Sequence, residues 1–181
     1  MTRIPLIDRQ HTDAERKALL DAVHAAFGAT PNMFRAVAHS PAALRSMWAS
    51  FGALGGGVLG AQLGEQIAVA VADHNGCDYC LAAHTLLGQN AGLSGEAMAE
   101  AQAGRSADPR TQAALRFALQ LVERRGQVSL VDVQALRAAG FDDEAMVEIV
   151  AHVALNLFTN TVNIAFDVPV DFPAVKLRKA A

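Results

Sequence analysis

Both cysteines of the chain lie in one short segment, Cys77-Asp-Tyr-Cys80, and His84 follows four residues later. Helix positions three or four apart share a face, so Cys77, Cys80 and His84 form one stripe if the segment is helical. Asn75-Gly76, just upstream, is a helix-ending pair, which puts both cysteines in the first turn of a new helix. Unpaired N–H groups and the helix dipole there favour a thiolate. Glu65 stands ahead of the apolar run that leads into Asn75-Gly76. If the two helices pair antiparallel about that turn, Glu65 and His84 come nearly level, at ~1.5 Å rise per residue. A carboxylate facing an imidazole that faces a thiol is a proton relay. Glu65 orients and charges His84, and His84 takes the proton of Cys80, directly or through a water. Cys77 is close enough to close a disulfide with an oxidised Cys80.

Two other readings stand beside this one. His74, Cys77, Cys80 and His84 supply the donor types of a zinc site, although a single helix face presents four ligands poorly. Two inert core cysteines are the other reading, since cysteine packs as a small hydrophobe. Thioredoxin-like chemistry would need a βαβ setting, and none is visible.

The elements that must position these side chains are all helical. Thr12 with Glu15 reads as a capping box for a helix ending at Gly28, and residues 32–39 make a short helix after Pro31. Ser40-Pro41 opens a helix to about Leu54, closed by Gly55-Gly56-Gly57. Helices are predicted over 63–75 and 78–90, a short one after Ser94, and others from Asp108-Pro109 to Arg125-Gly126 and from Ser129 to Gly140. Asp142 or Asp143 opens the last, to about Phe166. No stretch alternates with period two, so no sheet is predicted. The expected architecture is all-α: one domain over 1–181, its core at about 35–166, and an extended tail over 167–181 laid on the domain or on a neighbour. Glu148, Asn160 and Asn163 repeat the spacing of Glu65, Cys77 and Cys80. A duplicated helical hairpin and chance both explain that echo.

Composition narrows the function classes. The chain has 181 residues, 52% hydrophobic and 18% charged, with a formal net charge of -3. The acidic balance argues against a nucleic-acid binder. Two cysteines cannot build a disulfide scaffold. Residues 149–166 are the nearest approach to a membrane span. Their six interruptions by His, Asn and Thr read instead as a buried helix of a soluble protein. With no signal-peptide pattern at Met1–Gln10, the expected compartment is the cytoplasm. The low charged fraction suggests surface buried against another subunit.

The pattern Glu65-x11-Cys77-x2-Cys80-x3-His84 on an all-helical chain resembles the AhpD-like alkylhydroperoxidases of the carboxymuconolactone decarboxylase superfamily. Gln66-Ile-Ala-Val-Ala-Val-Ala, Cys80-Leu-Ala-Ala-His-Thr85, Val150-Ala-His-Val-Ala-Leu-Asn156, Phe158-Thr-Asn160 and Val170-Asp-Phe-Pro173 look like its peroxidase-related branch, so the resemblance spans roughly residues 35–175. It implies an AhpD-like helical bundle in which Cys80 attacks a peroxide, Cys77 closes the disulfide, and His84 with Glu65 is the relay. It also implies no bound cofactor, an external reducing partner (protein or small thiol), and a homo-oligomer, trimer or hexamer. Read from the residues alone, the same dithiol also fits a disulfide reductase acting on another thiol, or a non-enzymatic redox-sensing helical oligomer. Tyr79 departs from the pattern, because characterised AhpD has a His immediately before the second Cys.

Other polar residues are candidates for the surroundings. His152, Asn156, Asn160 and Asn163 form a stripe on the last helix, a pocket wall or subunit contact beside the dithiol, against a solvated or satisfied face. His74 could touch the thiols or cap its helix, and Tyr79 could shape the pocket. Trp48 and the phenylalanines at 27, 34, 51, 117, 141, 158, 166 and 172 are most simply core, some lining an apolar approach. Arg124-Arg125 reads as a helix C-terminal charge pair. Gly55-Gly56-Gly57 lacks the strand and the Gly-Lys-Ser/Thr of a phosphate loop.

Overall fold

A computed structural model describes residues 2–178. Among the described residues there are nine helices and no strand: α1 Ala14–Phe27, α2 Asn32–Val37, α3 Pro41–Gly55, α4 Gly60–Asn75, α5 Asp78–Asn90, α6 Gly95–Gln102, α7 Pro109–Glu123, α8 Leu130–Ala138 and α9 Asp143–Phe166. Their starts are written locally. Ser40, Ser94, Asp108, Ser129 and Asp142 each accept a backbone N–H from the first turn of the helix they open. The first helix departs from the predicted box by one residue. Asp13, not Thr12, accepts from the Arg16 N–H, because a carboxylate is the better acceptor at that end.

The centre of the bundle is α4. From Leu63 to Asp73 every residue but Glu65 is buried, as expected of a helix that is apolar on all sides. The alternating small side chains of Ile67-Ala-Val-Ala-Val-Ala72 let α5, α6, α7 and α9 close around it. Gly76 ends α4 at φ 71°, in the left-handed region, and its N–H is taken by Ala72 and Asp73 carbonyls. The chain reverses there, and α5 runs back antiparallel: Glu65 meets His84, and the Gln62 side chain reaches the Ala91 carbonyl.

Two sequence expectations about α9 need revision. It runs unbroken through Glu148, Asn160 and Asn163, so the spacing echo is not a second hairpin. Nothing between those residues breaks a helix as Asn75-Gly76 does. Nor is α9 simply a buried helix. It is long and apolar enough to cross a membrane by length and composition, and about a third of its most apolar stretch is buried. Its inward face carries Asn156, Thr159, Asn160 and Asn163, while Val147, Val150, Leu157, Phe158 and Ile164 point outward.

The tail after α9 lies on its own domain as far as Arg178; the rest of the predicted tail, 179–181, lies outside the described residues. Val168 is buried, Asp171 accepts the Asn32 N–H, and the Arg178 N–H and the Gln102 side chain both bond the buried carboxylate of Asp73. At the other end, Arg3 bonds carbonyls in the last turn of α9.

Candidate active site

Both sulfurs are free thiols, and both are buried, Cys77 at 0% and Cys80 at 2% exposure. Cys77 is the N-cap of α5, and its Sγ accepts the Cys80 N–H at 3.4 Å. Cys80 therefore sits three residues into the helix, where the dipole favours negative charge. Glu65 Oε2 and His84 Nδ1 are 2.7 Å apart, so the two helices bring together the carboxylate and imidazole predicted to be level. From α9, Asn163 Nδ2 donates to Cys80 Sγ at 3.1 Å.

These neighbours split the two thiols. The Cys80 pKa is lowered to about 6, chiefly by the hydrogen bond from the Cys77 thiol. Burial opposes this, and the charge of His84 and hydrogen bonds from Asn163 and Thr159 support it. Cys77 is pushed far up by the same bond and by burial. The pair thus shares one proton, held on Cys77. At His84, burial works against the imidazolium. The charge and hydrogen bond of Glu65, with the Cys80 thiolate, outweigh it and raise the pKa above the ordinary value. A depressed thiol beside a base with its own orienting carboxylate is the arrangement of an activated nucleophile.

Cys80, His84 and Glu65 lie at one end of an apolar cavity of about 340 Å³. Its walls come from α1 to α3 and from the tail, and they include Phe27, Phe34, Trp48, Phe51 and Phe172. Tyr79 lines it as well. Its ring meets Phe172 edge-on with centroids 5.6 Å apart, and its hydroxyl accepts the Met33 N–H at 3.1 Å. Burial pushes the Tyr79 hydroxyl well above the ordinary tyrosine range, so it stays protonated.

The remaining predicted residues divide. Asn163 reaches the sulfur itself. Asn160 accepts from Asn75 at 2.8 Å, at the end of α4, and Asn156 donates to the His152 carbonyl. Asn156, Asn160 and Asn163 are buried within this chain, facing its own interior, whereas His152 is half-buried. The asparagines turn inward because α9 is packed on α4 and α5 by that face. His152 lies against Gly64, and burial lowers its pKa. His74 is 3.8 Å from Glu123 and does not join the dithiol. Among the described residues no three His, Cys, Asp or Glu side chains are grouped to hold a metal ion.

Sequence reasoning missed Thr159, whose single hydroxyl proton can go to the Cys80 thiolate or to the Asn156 carbonyl, 3.1 Å away. It also missed Asn163 as a direct partner of Cys80. The signal was present, because Asn163 occupies the position of Cys80 in the spacing echo. What could not be read was that α9 would lay that position on the sulfur.

Comparison with known proteins agrees with this geometry. Residues 41–124, which span α3 to the end of α7, match the carboxymuconolactone decarboxylase family. Comparison with curated proteins finds no match. Among solved structures, the chain is similar to the alkylhydroperoxidase AhpD core of an uncharacterized peroxidase-related protein from Ralstonia eutropha JMP134, at 26% identity and a TM-score of 0.83, covering 94% of this chain and 92% of that one. A second uncharacterized peroxidase-related protein, from Silicibacter sp. TM1040, has 24% identity and a TM-score of 0.82, over 93% of this chain and 91% of that one. The debrominase Bmp8, solved as a cysteine-to-alanine variant with 2,3,4-tribromopyrrole, shares the fold at 18% identity and a TM-score of 0.80, over 94% of this chain and 92% of that one.

Proposed function

Because the chain belongs to the carboxymuconolactone decarboxylase superfamily and has the AhpD-like fold, we propose that it is a thiol-dependent peroxidase that reduces organic hydroperoxides through Cys77 and Cys80. One observation carries this reading. The sulfur of Cys80 lies at the end of an apolar cavity, with the Glu65–His84 pair beside it and a second thiol bonded to it.

The reaction balances on these groups. The Cys80 thiolate attacks the terminal oxygen of the hydroperoxide, and the O–O bond breaks. The departing alkoxide takes a proton from the His84 imidazolium and leaves as the alcohol. Glu65 holds that imidazole in place and stabilises its charge. Cys80 is then a sulfenic acid. Cys77 attacks the Cys80 sulfur, water leaves, and the disulfide forms. An external thiol reductant, protein or small molecule, supplies two electrons to restore the pair. The reading needs no bound cofactor and sets the reaction in the reducing cytoplasm.

The test is to reduce the protein, add cumene hydroperoxide, and follow free thiols and mass. Wild type should form an intramolecular disulfide, Cys77→Ser should stop at a sulfenic acid, and Cys80→Ser should not react. Equal, slow oxidation of both single variants would overturn the assigned roles. The debrominase neighbour favours a second reading, reduction of a halogenated ring at the same thiolate. Halide release from 2,3,4-tribromopyrrole, faster than peroxide consumption, would select it.

A further inference from the structure

The cavity beside Cys80 is lined by the groups of the dithiol site and otherwise almost wholly by apolar side chains. Phe27, Phe34, Trp48 and Phe51, all on its lining, pack against one another with centroids 5.6 to 6.0 Å apart. No Lys or Arg lines it, and its charged residues, Glu65 and His84, are bonded to each other. The one phenolic hydroxyl on the wall accepts the Met33 N–H and is hydrogen-bonded to the Asp171 carboxylate. A bound molecule would therefore find aromatic faces along its body and polar groups only at the sulfur. A carboxylate or phosphate on that body would lose its hydration with no cation to replace it.

Size points the same way. A closed apolar cavity of ~150 Å³ takes benzene, so about 340 Å³ accommodates a substituted ring together with its reactive arm. Gly52 sits on the same lining, inside α3. Glycine within a helix is less favourable than alanine. Yet a Cβ built at Gly52 meets nothing within 4 Å, so neither a close neighbour nor a left-handed backbone requires the glycine. Gly52 is exposed as well as being on the lining, so what the missing side chain leaves open is the mouth of the cavity.

We propose that this cavity binds a neutral monocyclic aryl group, presenting an electrophilic arm to Cys80, and that Gly52 sets the room available to it. The inference rests on the peroxidase reading for the nature of the arm, an aryl-substituted hydroperoxide. The binding half is separable from it.

Trp48 is the single tryptophan of the chain and lies on the cavity wall, so its emission reports occupancy. Reduced full-length protein is titrated with 2-phenylpropan-2-ol, the unreactive alcohol of cumene hydroperoxide. Parallel titrations use tert-butyl alcohol, which lacks the ring, and 4-isopropylbenzoate, which carries a charge. The expected result is a saturable change with the phenyl alcohol and at least tenfold weaker binding of the other two. Gly52→Leu should weaken the phenyl alcohol at least tenfold while its Tm stays at or above that of wild type, since leucine is the better helix former. Equal response to all three ligands, or undiminished binding in Gly52→Leu, would overturn the proposal. Ring binding in a protein that fails to oxidise with cumene hydroperoxide would keep the cavity assignment and remove the peroxidase reading. Fast oxidation without ring binding would do the reverse.

Discussion

At the scale of single residues, the two cysteines differ by what touches them. Cys80 receives hydrogen bonds and faces an imidazolium, whereas Cys77 keeps its proton and donates it in a hydrogen bond to Cys80. The thiolate is the reactive form, so alkylation of Cys80 should rise with pH and reach half its maximum near pH 6, well below the ordinary thiol range. Iodoacetamide kinetics on Cys77→Ala would not serve, because that change deletes the leading cause of the shift. Wild type with mass-resolved labelling does. Asn163→Leu removes a charge-assisted bond at the sulfur, of the kind that contributes ~1.5–3 kcal/mol. The midpoint should then climb by roughly one to two pH units, read as thiolate absorbance at unchanged helix content. Glu65→Gln keeps the shape of the site but withdraws the charge behind His84. Peroxide-driven disulfide formation should slow by ~10²-fold or more, the usual scale of acid–base assistance. An unchanged rate would remove Glu65 from the relay. The types and spacing of Glu65, Cys77, Cys80 and His84 were legible in the sequence because all four lie on one hairpin, where local periodicity fixes geometry. Asn163 and Thr159 reach the sulfur from a helix some eighty residues away. Their role depends on tertiary packing, which no local pattern encodes.

At the scale of elements, the site depends on where α4 begins and ends. Caps, prolines and glycines gave most helix limits to within a residue or two, since each acts on its own turn. The start of α4 predicted at Leu63 falls three residues after the observed one at Gly60, because its anchor is remote. The Glu148 carboxylate, from α9, accepts the Val58 and Leu59 N–H groups at 3.0 and 3.1 Å. It serves as the N-terminal cap that Leu59 cannot supply. Gly57 leaves room for it, since a Cβ there would stand 2.5 Å from either carboxylate oxygen. Glu148→Ala should therefore destabilise by roughly 2 kcal/mol, about 4–8 °C in Tm for a chain of this size. Gly57→Ala should produce a similar loss by displacing the carboxylate. The two losses should not add in the double variant, since both remove the same cap. Additive losses would show that the glycine and the carboxylate act independently.

At the scale of the whole molecule, α9 stands out because from Asn156 onward its buried face is polar, while its outward face is largely apolar. Asn156, Thr159, Asn160 and Asn163 are committed inward, to the dithiol and the end of α4. The outward face carries Val147, Val150, Leu157, Phe158 and Ile164, all more than a third exposed, and from Ile149 to Phe166 there is no Asp, Glu, Lys or Arg at all. A contiguous apolar strip of this kind marks an interaction surface. Insertion into a bilayer would require α9 to leave α4 and α5, exposing the asparagines to hydrocarbon and stripping Asn163 from Cys80. A second copy of the chain would cover the strip without disturbing the inner face. It also accounts for the 18% charged fraction, which falls below that of an average soluble domain. We therefore expect a homo-oligomer whose subunits meet along the outer face of α9. Light scattering on the size-fractionated protein should give a mass that is a multiple of 19.0 kDa. Val150→Glu and Leu157→Glu place charges on that strip and should lower the mass toward the single chain. A mass unchanged in both variants would move the contact elsewhere, and a single-chain mass in wild type would leave the strip without a partner copy. The inner face supplies the control. If the subunit contact and the dithiol use opposite sides of α9, the dissociated variants should keep the depressed Cys80 midpoint near pH 6.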